Sequence, residues 1–165
     1  MRLKRLLCGY FLVVFAHINA QRSEEPYLQF SSAYKTLDAA LLANAYAENA
    51  VLINLYDRLA PQSYKGRTAI LAFFMEQFTR AERDKMGLDI VFKISSRKKV
   101  QENYLDNGFY RLKITHPDIG TTKRFGKFSI VLQQESGVWK FSVDANGSAT
   151  EKEFENAIYI EEEKK

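Results

Sequence analysis

The side chains able to do chemistry in this 165-residue sequence are few. His116 precedes Pro117 at the end of an alternating segment, Asp144 follows the apolar positions Trp139, Phe141 and Val143, and Asn54 lies inside Val51–Leu55. A histidine or carboxylate near a tyrosine hydroxyl can move a proton and stabilise a developing oxyanion. His116 reads first as a rim residue and second as a base. Asp144 reads first as a turn residue ahead of Ala145-Asn146-Gly147, because Asp favours turns, and second as a pocket acid. A metal centre needs several ligands converging on one point, and no such cluster stands out. No serine occupies a nucleophile-elbow pattern, and Gly66-Arg67 is not a phosphate-cradling loop. No cofactor is therefore expected.

The first twenty residues bound the setting of that chemistry. Arg2, Lys4 and Arg5 precede an apolar run from Leu6 to Ala16, and Ile18-Asn19-Ala20 ends on a small residue. This succession is the layout of a signal peptide of bacterial type, with cleavage expected after Ala20 and a secreted or periplasmic product. Cleavage removes three of 24 basic residues and none of 20 acidic ones, so the formal charge falls from +4 to +1. The basic footprint expected of a nucleic-acid binder disappears with it. Cys8, the one cysteine, leaves too, taking with it any disulfide or thiolate chemistry. No membrane association is expected after cleavage. Asn146-Gly147-Ser148 matches a glycosylation sequon, expected to be idle in a bacterial cell.

Elements must then position the candidates. Apolar residues between Tyr27 and Leu37 fit a helical stripe imperfectly, and Asp38 suits an N-cap for the helix formers Ala39 to Tyr46. Ala50–Tyr56 reads as a strand, with a short one near Ser63–Lys65. Ile70, Phe73, Phe74, Gln77, Phe78 and Ala81 recur at helical spacing over 68–84. Leu88, Ile90, Phe92 and Ile94 alternate, as do Tyr110, Leu112, Ile114 and His116, then Phe128, Ile130 and Leu132. Asp106-Asn107-Gly108 predicts a hairpin turn, Arg97-Lys98-Lys99 an exposed bend, and Ser136-Gly137 a second turn. Thr150 to Glu153 has a capping-box pattern, with a short helix expected to bury Phe154, Ala157 and Ile158. Helices first and strands later predict an α+β domain with a mostly antiparallel sheet.

Asp38, Tyr46-Ala47-Glu48-Asn49-Ala50-Val51, Lys65-Gly66-Arg67-Thr68-Ala69-Ile70, Phe73-Phe74 and Gly137 to Asp144 occur in an order that resembles the nuclear transport factor two-like superfamily. Within it the chain is most similar to the SnoaL-like and steroid-isomerase-like branch. The resemblance implies a cone-shaped barrel: a strongly curved sheet wrapped around N-terminal helices and one long helix. Residues 21–149 would form that domain and 150–165 a short charged helix and tail. Homodimers formed through the outer sheet face are common in the superfamily, and Val91, Phe109, Phe125 and Val131 have the parity to supply such a face.

The isomerases' catalytic positions are not retained. Their general base falls on Asn54, which cannot accept a proton at neutral pH. Their oxyanion tyrosine falls on Phe30, and their second acid falls near Lys127–Ser129, where no carboxylate stands. The expected pocket is lined by Tyr34, Asn54, Tyr56, Phe74, Tyr104, Tyr110, His116, Phe128 and Trp139. The leading expectation is an exported cone module that binds a small apolar molecule or a protein partner without catalysis. The alternative is a small lyase, isomerase or hydrolase using His116 or Asp144 as base.

Overall fold

The computed structural model describes residues 22–56, 60–158 and 160–161. The segment expected to be a signal peptide, residues 1–20, lies outside the described residues, as does the end of the tail, 162–165. The element order is α1 (Glu25–Thr36), α2 (Ala39–Ala43), β1 (Tyr46–Leu55), β2 (Gln62–Lys65), α3 (Arg67–Arg83), β3 (Gly87–Val100), β4 (Asn103–His116), β5 (Gly120–Glu135), β6 (Val138–Ser148), α4 (Glu151–Asn156) and β7 (Ile160–Glu161). Seven strands form one sheet in the order β2-β1-β6-β5-β4-β3-β7. All pairings are antiparallel except β1 with β6 and β3 with β7. The sheet wraps α1 and α3, which is the cone expected from the sequence.

Local chemistry explains the helices. Pro26 sits in the first turn of α1, where its missing N–H breaks no bond. Asp38 caps α2, its Oδ1 accepting from the Leu41 amide at 2.8 Å, a contact worth about 1 kcal/mol. That helix stops at Ala43, so Tyr46 opens β1 instead of closing a helix. α3 buries Ile70, Phe74, Phe78 and Ala81, the stripe its spacing predicts. The α4 capping box forms, Thr150 accepting from the Glu153 amide at 3.2 Å and Glu153 from the Thr150 amide at 2.7 Å. This helix ends at Asn156, so only Phe154 is fully buried and Ile158 stays exposed.

Two expectations about turns fail together. Asp106, Asn107 and Gly108 lie within β4, paired with Arg97, Ser96 and Ile94 of β3, and the chain reverses near Gln101-Glu102. Gly108 is needed for close approach and not for a turn, because a Cβ there would collide with the Lys93 carbonyl and the Phe128 ring. Arg97 is not in an exposed bend. Its guanidinium makes two 2.7 Å bonds to the fully buried carboxylate of Asp106, which also accepts from the Tyr27 hydroxyl at 2.8 Å. Lys98 and Lys99 are exposed, as the sequence predicted.

The core is largely aromatic. Phe30 of α1 meets Phe74, Phe92 and Phe141 edge to face at 5.8, 5.5 and 6.1 Å. Tyr27 meets Phe92 and Phe141 at 5.3 and 4.9 Å. Such pairs add about 0.5–1.5 kcal/mol each beyond area burial. This packing fills one end of the cone and leaves the other end open. Among the described residues no helix is long and apolar enough to cross a membrane.

Candidate functional site

The open end holds a cavity of about 950 Å³, large enough for a small-molecule ligand. Leu52 and Asn54 from β1, Phe128 and Ile130 from β5, and Asp144 and Asn146 from β6 share its sheet wall. Phe74 and Phe78 from α3 stand opposite, and His116, Ile119 and Lys123 lie around the β4–β5 turn.

Asp144 reaches this wall through an irregularity. Val131 pairs with Val143 but Leu132 pairs with Phe141, so Ser142 is an extra residue in β6. Its hydroxyl is occupied by the Val131 carbonyl at 3.1 Å. A bulge reverses side-chain parity beyond it. Phe141 and Asp144 therefore both face inward, and Asp144 is 6% exposed. The turn expected at Asp144 does not form, and β6 continues to Ser148. A matching irregularity in β1, where Tyr46 pairs with Phe141 and Val51 with Val143, brings the Tyr46 hydroxyl to Asp144 Oδ2 at 2.6 Å.

Burial raises the Asp144 carboxyl to about 6, against the opposing pull of the Tyr46 hydroxyl and the Asn146 side chain. A carboxyl in that range exchanges protons readily near neutral pH. Burial also raises the hydroxyls of Tyr34, Tyr46, Tyr56 and Tyr110 above their usual 10, so all four are neutral hydrogen-bonding groups. Tyr56 and Tyr110 share a 3.1 Å hydrogen bond. Tyr110 lies flat across Gly126, its partner on β5, where any Cβ would strike its ring. Asn54 is 5% exposed and has no side-chain hydrogen bond among the described residues. It faces the cavity beside Asn146, with Asp144 two residues earlier on β6, opposite Leu52.

Of the expected pocket residues, Tyr34, Asn54, Tyr56, Phe74, Tyr110, His116 and Phe128 line the cavity. Tyr104 and Trp139 do not. They pack together at 5.0 Å beside Arg97, which stands over the Tyr104 ring, because the start of β4 carries Tyr104 and the start of β6 carries Trp139 to the filled end. His116 stands at the rim with Nδ1 accepting from the Asp118 amide at 3.1 Å. Sequence reasoning missed Tyr46, Asn146 and Arg124. Helix formers run up to Tyr46 in the sequence, and Asn146 sits in a sequon. Arg124 shares the inward parity of Phe128, a signal that was there to be read. No group of three or more metal-ligating side chains converges among the described residues.

No family model and no curated relative matches the sequence. Solved structures do match. An NTF2-like protein with a cystatin-like fold from Novosphingobium aromaticivorans superposes with a TM-score of 0.62 at 13% identity, over 79% of this chain and 82% of that one. It has the nuclear transport factor two-like fold. ActVI-ORFA from Streptomyces coelicolor matches at 0.62 and 14% identity, over 75% of this chain and 92% of that one. A ketosteroid isomerase-like protein from Erwinia carotovora matches at 0.56 and 12%, over 77% and 93%. Asn54, where the sequence resemblance would put an isomerase base, is an amide, and Lys127 lies exposed on β5. The carboxyl that lines the cavity among the described residues is Asp144 of β6, which the sequence places first in a turn and only second in a pocket.

Proposed function

We propose that the cone binds a small, mostly apolar molecule and that Asp144 exchanges a proton with it, as the acid–base group of a SnoaL-like isomerase or lyase. The observation that supports this reading is one carboxyl, oriented by Tyr46, against an open aromatic cavity. Asn54 and the Tyr56–Tyr110 pair offer donors for an oxygen that gains charge as the proton leaves. His116 serves the rim rather than the reaction. The same reading places the protein outside the cytoplasm as a homodimer, supported by the residue succession ending at Ala20 and by apolar residues on the outer sheet face.

The test uses β-tetralone, a small enolisable aromatic ketone, with α-proton exchange followed by NMR in deuterium oxide. Wild type should accelerate exchange, with a rate that climbs through about pH 6 as Asp144 loses its proton. Asp144→Asn should lose roughly 10²–10⁴-fold. Acceleration that survives Asp144→Asn rejects the assignment. Binding without chemistry is the second reading, and the amide at the isomerase base position favours it. Its signature would be saturable tetralone binding with no exchange.

A further inference from the structure

The charged groups along the cavity are distributed unevenly. Asp144, deep on the sheet wall, is the one acidic residue that lines it among the described residues, while Arg80, Lys123 and Arg124 are the cations. Two of these cations are already engaged. Arg80 pairs with Glu76 at 3.1 Å and Lys123 with Glu151 at 3.5 Å. His116 is also close to a carboxylate, that of Asp118, at 3.9 Å. Arg124 makes no ion pair among the described residues. It is nevertheless on the inner face of β5, opposite Leu112 and in the same parity as Phe128 and Ile130, near enough to Tyr56 to influence its hydroxyl. Arg124 is exposed, so its charge stands at the mouth of the apolar cavity, where a guanidinium is well shaped for a carboxylate or sulfonate.

We infer that the ligand is an anionic amphiphile: an apolar ring system whose acidic group is held by Arg124 at the mouth while its uncharged polar end reaches Asn54 and Asp144. This rests on the proposed small-molecule role of the cone and adds the ligand's charge and orientation. An ionised Asp144 repels an anion from the deep end, and Arg124 attracts it at the mouth, so both fields favour the same orientation. The apolar walls between them accommodate the rings.

Two fluorescent dyes of one skeleton separate the ideas: neutral phenylnaphthylamine and its sulfonate, anilinonaphthalene sulfonate. Both should bind wild type and displace one another. Arg124→Gln should weaken the sulfonate about tenfold and leave the neutral dye unchanged, the size expected for a charge-assisted contact discounted for exposure. Arg124→Lys should restore most of the loss, and raised salt should reduce the sulfonate's affinity in wild type more than in Arg124→Gln. Equal effects on both dyes, no effect on either, or independent binding without mutual displacement would overturn the anion site while leaving the cone a small-molecule site. Failure of both dyes to bind wild type would overturn that underlying reading as well. Unchanged melting of the variants shows that a lost contact, not lost folding, is being read.

Discussion

Burial moves the Asp144 carboxyl from the usual 3.8 to about 6, so the folded chain holds this proton more tightly than the unfolded chain does. Stability from this group is therefore fully present below about pH 4 and is lost as pH rises through about 6. At neutral pH the ionised carboxylate costs roughly 2–3 kcal/mol relative to its protonated form. Asp144→Asn keeps an acceptor for the Tyr46 hydroxyl and removes the charge. The variant should thus be more stable than wild type at about pH 7.5, by roughly 2–3 kcal/mol, with the difference closing by about pH 4. Glu24 and Glu135 are held below the usual carboxylate range by their own contacts, and their contributions fall away at more acidic pH in both proteins alike. Urea titrations of the pair across that range isolate the Asp144 contribution. A variant less stable than wild type at neutral pH would mean that the carboxylate is a structural ion and not a strained functional one. Gaining stability while losing proton exchange is the trade expected of a functional residue.

At the scale of elements, the β3–β4 hairpin carries an ion pair that joins it to α1. Arg97 holds Asp106 in two bonds and also reaches Glu24 and Ser23 at 2.7 Å each, at the start of α1. Removing one partner of a buried pair strands the other. Arg97→Met should therefore destabilise by about 3–5 kcal/mol, whereas Arg97→Met with Asp106→Leu should recover much of that loss. Denaturant unfolding checks both, and a double variant no better than the single would assign the loss to packing alone. The sequence concealed this contact for a definable reason. Asn-Gly is a strong local turn signal, and three consecutive cations look solvated. Tertiary demands overrode both, because Gly108 makes room for Phe128 and Arg97 answers a buried carboxylate. Asp144 was hidden likewise, since strict alternation cannot register the extra Ser142. Patterns with a purely local cause were legible: the Asp38 cap, the Thr150 box, the apolar stripe of α3 and the Ser136-Gly137 turn all form.

At the scale of the whole molecule, the outer sheet face carries the proposed dimer contact, and the structure alters its extent. Val91, Phe109, Phe125 and Val131 were expected to form one apolar patch, but α4 folds back over part of it. Phe154 packs on Phe125 at 5.6 Å, with Lys93 Nζ at 4.4 Å from the Phe154 ring and Arg111 at 5.7 Å. The chain covers that end of the face itself. Away from α4, a shallow hollow of about 370 Å³ remains around Phe109, Ser129, Ala145 and the exposed Leu55. Exposed apolar surface of this kind commonly marks an interaction site. Export with cleavage after Ala20 would leave a chain beginning at Gln21, verifiable by intact mass. Sedimentation of that mature chain at micromolar concentration should give a dimer. Phe109→Lys, which puts a charge at the centre of the uncovered part, should shift it to monomer, and Val131→Lys should weaken it in the same direction. Phe125→Lys should lower the melting temperature before it alters the oligomer, because its ring is held by Phe154 of its own chain. A mature protein that is cleanly monomeric, and indifferent to Phe109→Lys and Val131→Lys, removes the dimer from the proposal and leaves the hollow as ordinary surface.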